Sequence, residues 1–120
     1  MAQDPFEEFE QRRLNTQDEA RDEAVKKRHS RGGRTARENL DDLVDGFPVN
    51  EFGQYAVAAQ RSRKDVEELQ IQTAGDGVIT AIGSVNSNLF DATAAKTALI
   101  INDYTVLAGT QGYFHHRKID

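Results

Sequence analysis

The chain has 120 residues, no Cys and a net charge of −5, with 38% hydrophobic and 29% charged residues. This composition bounds it to one small domain, excludes disulfides, and offers no run near the roughly 18 apolar residues a membrane span needs. The acidic opening MAQDPFEEFEQRR lacks the apolar stretch of a secretory signal, so a cytoplasmic protein is expected.

Asp4 before Pro5 is a helix start: an acceptor side chain precedes a residue pre-set for the first turn. The helix places Phe6, Phe9 and Arg13 on one weak stripe. TQDE, Thr16 to Glu19, has capping-box spacing and is expected to restart or reinforce it until Gly32-Gly33. So little apolar surface predicts an arm lying on something else.

The segment Lys26 to Arg37 holds two Lys, four Arg and no acid, so it carries +6 and leaves −11 on the remainder. Such a block suits nucleic acid or an acidic partner. Acids flank it on both sides and no aromatic residue interleaves it as a single-strand binder would want, so nucleic acid is not an expected partner. Arg28, Arg31, Arg34 and Arg37 recur every third residue, with three uses open to them: a phosphate clamp, docking on a partner's acidic surface, or intrachain pairing.

TARENLDDLVDG carries the strongest local signal. Thr35 and Glu38 form a capping box, Leu40, Leu43 and Val44 an i, i+3, i+4 face, and Gly46 is placed to end the helix in a left-handed turn. FPVNEFGQYAVA reads as extended and SRKDVEELQIQT as a short polar helix or loop. Gly75-Asp76-Gly77 is a turn, since it lacks the Lys and following helix of a phosphate loop.

Val78, Ile79, Ile82 and Val85 then mark a strand, with Gly83 a bulge or a close approach. After a loop or single turn, TALIINDYTV is the second strand. Its apolar run Ala98 to Ile101 predicts burial on both faces, and any core is expected in the last third of the chain. AGTQG turns, Thr110 caps, and GYFHHRKID opens a helix. Two strands are not independently stable in water, so further sheet is expected from more polypeptide or from another molecule. Adjacent His115 and His116 diverge by about 100° on a helix and cannot chelate one metal ion; both are expected on the helix surface.

Four motifs in order, RHSRGGRTARENLDDLVD, EFG, GDGVITAIGSVN and NDYTVLAGTQGYFHHRKID, resemble the start of the carboxyltransferase domain of biotin-dependent acyl-CoA carboxylases, over residues 26–120. The resemblance implies an α/β, crotonase-like fold of repeated β-β-α units. Residues 1–34 would be a helical arm, and 35–120 the opening of an incomplete carboxyltransferase domain. It implies transfer of CO2 from carboxybiotin, borne on a separate carrier domain, to the α-carbon of an acyl-CoA. Paired backbone N–H groups would stabilise the developing oxyanions. The Gly-rich turns that supply them in the family do not occur here, so no catalytic residue is assigned and this piece alone is expected to be inactive.

The implied partners are biotin carboxyl carrier and biotin carboxylase components, acyl-CoA, and further copies of the chain in a homo-oligomer. Candidate CoA or acyl contacts are Tyr104, Thr105, Ala108, Gly109 and Thr110, where a strand end leaves backbone N–H groups free. Ala108-Gly109 stands where the family often has Gly-Gly, limiting positive φ to Gly109. His115 and Lys118 resemble a His-x-x-Lys of the family's first helix. A non-enzymatic module docking on a carboxylase subunit is the alternative.

Overall fold

The computed structural model describes all residues except Met1, Gln3, Phe47 and Pro48; the first two residues of FPVNEFGQYAVA therefore lie outside the described residues. In chain order the elements are α1 (Pro5–Leu14), α2 (Asp22–Ser30), α3 (Ala36–Leu43), β1 (Asn50–Phe52), α4 (Val66–Gln72), β2 (Val78–Ser84), α5 (Ala92–Ala95), β3 (Lys96–Asn102) and α6 (Tyr113–Ile119). The strands form an antiparallel sheet in the order β1-β2-β3, with Ala81 opposite both Glu51 and Leu99.

Local chemistry sets the helix starts. Asp4 accepts from the Phe6 N–H ahead of Pro5, Asp65 from Glu68, and Asp91 from Ala94. The Thr35–Glu38 capping box is complete in both directions, and Thr35 Oγ1 also donates to Asp18 Oδ2 at 2.6 Å, tying the arm to α3. Burial raises the Asp18 carboxyl above its ordinary pKa.

Several expectations are corrected. Thr16 caps no helix: its hydroxyl donates back to Arg13 O, α1 ends at Leu14, and a single 3-10 turn, Asp18–Ala20, precedes α2. The end of α3 comes from extended Val44 (φ −84°, ψ 154°), not from a left-handed Gly46. Leu43 points outward, so the face of α3 narrows to Ala36, Leu40 and Val44.

The core also departs from the last third of the chain. One cluster joins Ala36 and Leu40 to Ile79, Ala81 and Leu99; a second gathers Val57, Ala58 and Leu69. β3 is buried on one face only: Leu99 is 4% exposed and Ile100 56%. It is an edge strand of an antiparallel sheet, and such sheets can leave one face to water. Gly83 is a close approach without a bulge, because a Cβ there would lie 2.9 Å from Val49 Cγ1.

α6 is locked to the turn before β2. Buried Asp76 accepts from the His115 backbone N–H at 3.0 Å, replacing the cap expected of Thr110, and its Oδ1 leaves no room for a Cβ at Gly112. His115 is 1% exposed, correcting its surface placement; its Nδ1 lies 3.1 Å from the Asp76 carbonyl and donates to it, since a carbonyl only accepts. Lys118 Nζ donates to the carbonyls of Gly75 and Val78. The His-x-x-Lys spacing thus serves the fold, one turn of helix gripping one turn of loop.

Burial lowers the Lys118 ammonium to about 8, partly opposed by the Glu51 carboxylate. The unfolded chain then binds more protons between pH 8 and 10.5, so this desolvation penalty is fully present below pH 8 and relieved above it. Melting temperature is expected to gain an increment from pH 8 to 10 that is absent in Lys118→Met. Identical pH profiles for the two proteins would show that Lys118 carries no such penalty.

Candidate functional site

One charged side chain of the arm is buried against the rest of the fold. Arg21, 5% exposed, donates from Nε to Ile71 O at 2.9 Å, from Nη1 to Asp103 Oδ2 at 3.2 Å and from Nη2 to Thr105 Oγ1 at 2.9 Å. Asp103 Oδ1 accepts from the Thr105 backbone N–H at 2.9 Å and its hydroxyl at 2.6 Å. The carboxylate is therefore spent on the turn and on the guanidinium together. Each guanidinium nitrogen and both carboxylate oxygens of this buried pair have a partner, as burial requires.

Above this network opens a cleft of about 360 Å3 between α2 and the turn after β3, near the lower end of small-ligand sites of roughly 300–1,000 Å3. Ala24, Lys27 and Arg28 face it from α2 and Arg31 from its C-cap, at i, i+3, i+4 and i+7; Tyr104, Thr105 and Ala108 face it from the turn, and Arg21 and Glu23 also line it. The Arg28 guanidinium lies 4.9 Å from the Tyr104 ring centroid and donates to Arg34 O at 2.9 Å. Neither Lys27 nor Arg31 forms an ion pair among the described residues.

The basic block therefore divides in two. Arg34 pairs with Asp42 at 3.1 Å and Arg37 grips Glu51 through two bonds of 2.6 and 2.9 Å, so both are intrachain pairs. Lys27, Arg28 and Arg31 remain facing the cleft. Three cations against the one carboxylate of Glu23 favour an anionic ligand. No group of three or more His, Asp or Glu is gathered for a metal among the described residues, and no helix there is long and apolar enough to cross a membrane.

Of the five candidate contacts, Tyr104, Thr105 and Ala108 share the cleft, whereas Gly109 and Thr110 are not among its lining. Gly109 lies behind Tyr104, where a Cβ would meet the ring at 3.1 Å. Positive φ is not limited to Gly109: Leu107 (+47°) and Ala108 (+53°) precede it at +81°. Two non-Gly residues in this region store roughly 1–3 kcal/mol each. Ala108→Gly is expected to raise unfolding free energy by about 1 kcal/mol, read from denaturant midpoints; a lower midpoint would show that Ala108 is unstrained. Arg21 and Asp76 carry no sequence motif that announces their roles: Arg21 stands outside the Lys26–Arg37 block, and Gly75-Asp76-Gly77 reads only as a turn.

No family model matches the chain. The propionyl-CoA carboxylase beta chain of Roseobacter denitrificans is 29% identical over 97% of this chain and 21% of its own length. A single-chain, multi-domain long-chain acyl-CoA carboxylase structure is 45% identical, with TM-score 0.91 over 98% of this chain and 12% of that one. Transcarboxylase 12S, a hexamer solved with hydrolysed methylmalonyl-coenzyme A, is 25% identical, with TM-score 0.66 over 94% of this chain and 20% of that one. The chain spans about a fifth of the length of the curated relatives it matches. By sequence and backbone alike, the chain resembles a stretch of the carboxyltransferases of the acyl-CoA carboxylases, and its α/β fold matches that of their crotonase-like domain over this stretch.

Proposed function

We propose that the chain is the N-terminal, acyl-CoA-recruiting portion of a biotin-dependent carboxyltransferase, which moves CO2 from carboxybiotin to the α-carbon of an acyl-CoA. Residues 1–34 act as the arm and 35–120 open the domain. The observation that carries this is the convergence of Lys27 and Arg31, neither in an ion pair among the described residues, with the Tyr104–Thr105–Ala108 turn on one cleft, in a chain similar to propionyl-CoA carboxylase beta chains. The cations suit the phosphates of CoA. Tyr104, braced by Arg28, offers a ring face to the adenine. Thr105 and Ala108 shape the floor, with Gly109 and Thr110 supporting it.

Guanidinium and ammonium donors match phosphate, not the neutral ureido ring of biotin, so these residues do not fit biotin. Biotin belongs to a separate carrier. Biotin carboxyl carrier and biotin carboxylase components are the expected partners, in a cytoplasmic homo-oligomer. An amide NMR titration of the chain with propionyl-CoA tests this reading: shifts confined to residues 24–31 and 104–108 are expected, and shifts elsewhere or none would overturn it.

One observation favours a non-catalytic assembly role as the second reading. Leu89 and Tyr113 are 71% and 62% exposed, and Phe90 and Ile100 are also open, apolar side chains available to a partner. A chain that binds a carboxylase subunit but ignores CoA would establish it.

A further inference from the structure

The cleft's cations stand above a residue, Arg21, that also lines the cleft but whose three guanidinium nitrogens are all taken by protein acceptors. We infer that Arg21 is a positioning residue, setting α2 over the turn after β3 so that Lys27 and Arg31 meet an anion; the inference rests on the cleft being the CoA site. Arg21 immediately precedes α2. Its three bonds run to three separate places, the Ile71 carbonyl in α4, Asp103 and Thr105. Only a planar fork of fixed donors satisfies three such directions together.

The leverage is large. At 1.5 Å per residue Arg31 stands about 15 Å from this pivot, so a tilt of about 10° moves it by about 2.6 Å. Binding groups need placement within about 0.5 Å. The charge of Arg21 is already matched by Asp103, its side chain being 4% exposed, so its contribution to an anion is geometric. The same Thr105 that Arg21 holds lines the cleft, and one bond network thereby sets both walls.

Calorimetric titration of the full chain with CoA, at a series of salt concentrations and well below each protein's melting temperature, tests this. Arg21→Lys keeps the charge and loses the fork. It is expected to bind CoA about 10-fold more weakly, with a shallower dependence of log affinity on log salt because fewer cations engage the ligand. Should Arg21→Lys fail to fold, Asp103→Asn is decisive, with a loss of 3- to 10-fold expected. A merely structural Arg21 would lower the melting temperature and leave affinity and salt slope unchanged, which would overturn the inference. Wild-type chain that binds no CoA overturns the cleft reading itself, a distinguishable result.

Discussion

Replacing Lys27 and Arg31 together by Ala is expected to weaken CoA binding by about 10- to 100-fold and to leave thermal stability within a few degrees of wild type. Both side chains project into the cleft and neither forms an ion pair among the described residues, so their removal strands no partner. Each charge-assisted bond to a phosphate is worth roughly 1.5–3 kcal/mol when well made, and exposure reduces that. A combined 1.4–2.7 kcal/mol corresponds to about 10- to 100-fold. The equivalent change at Arg34 and Arg37 is expected to act on stability instead, because those side chains hold Asp42 and Glu51. If the Lys27/Arg31 variant binds CoA like wild type, the cationic face of α2 is not the ligand's contact.

Asp76→Ala is expected to destabilise the chain by about 2–4 kcal/mol. The residue is 1% exposed, and its carboxylate is the acceptor for the His115 N–H at the start of α6. Leaving the buried His115 N–H without its acceptor costs roughly 1–3 kcal/mol, a figure that already contains the roughly 0.5–2 of a lost cap. Backbone geometry adds to this, since φ at Asp76 is +49° and Asp tolerates the left-handed region better than Ala. Asp76→Asn preserves both the acceptor and the backbone preference and is expected to lose less than about 1 kcal/mol. Urea midpoints at constant m-value separate the cases. Equal losses for Ala and Asn would show that charge, not capping, is what Asp76 supplies.

Features written within a few consecutive residues were legible. Asp4-Pro5 and Thr35–Glu38 announce helix starts because a cap needs only an acceptor and a nearby N–H. The strands from Val78 and Lys96 were visible in their apolar runs, and the close approach at Gly83 in its missing side chain. What failed was long-range. Arg21 reaches residues 82 and 84 positions away, and no spacing rule connects a lone Arg to a distant Asp.

The same limit explains His115 and the arm. A His on a polar-looking helix reads as surface until Asp76, 39 positions earlier, is folded against it. An apolar run fits burial on two sides as well as an exposed edge, so the run in β3 does not reveal that the face carrying Ile100 is open. At the site, Tyr104, Thr105 and Ala108 could be chosen from the turn alone. Which of the basic residues would join them depended on how Arg34 and Arg37 pair, and only the fold decides that.

The floor formed by Arg21, Asp103 and Thr105 is proposed to support a phosphate-reading cleft. Titration of the chain with CoA and with 3′-dephospho-CoA, side by side at low salt, measures it most directly. Saturable CoA binding, with the dephospho form at least about 5-fold weaker, is the predicted result. Equal affinities would remove the phosphate from the contact, and no saturable heat with either ligand would contradict the assignment of this cleft to CoA.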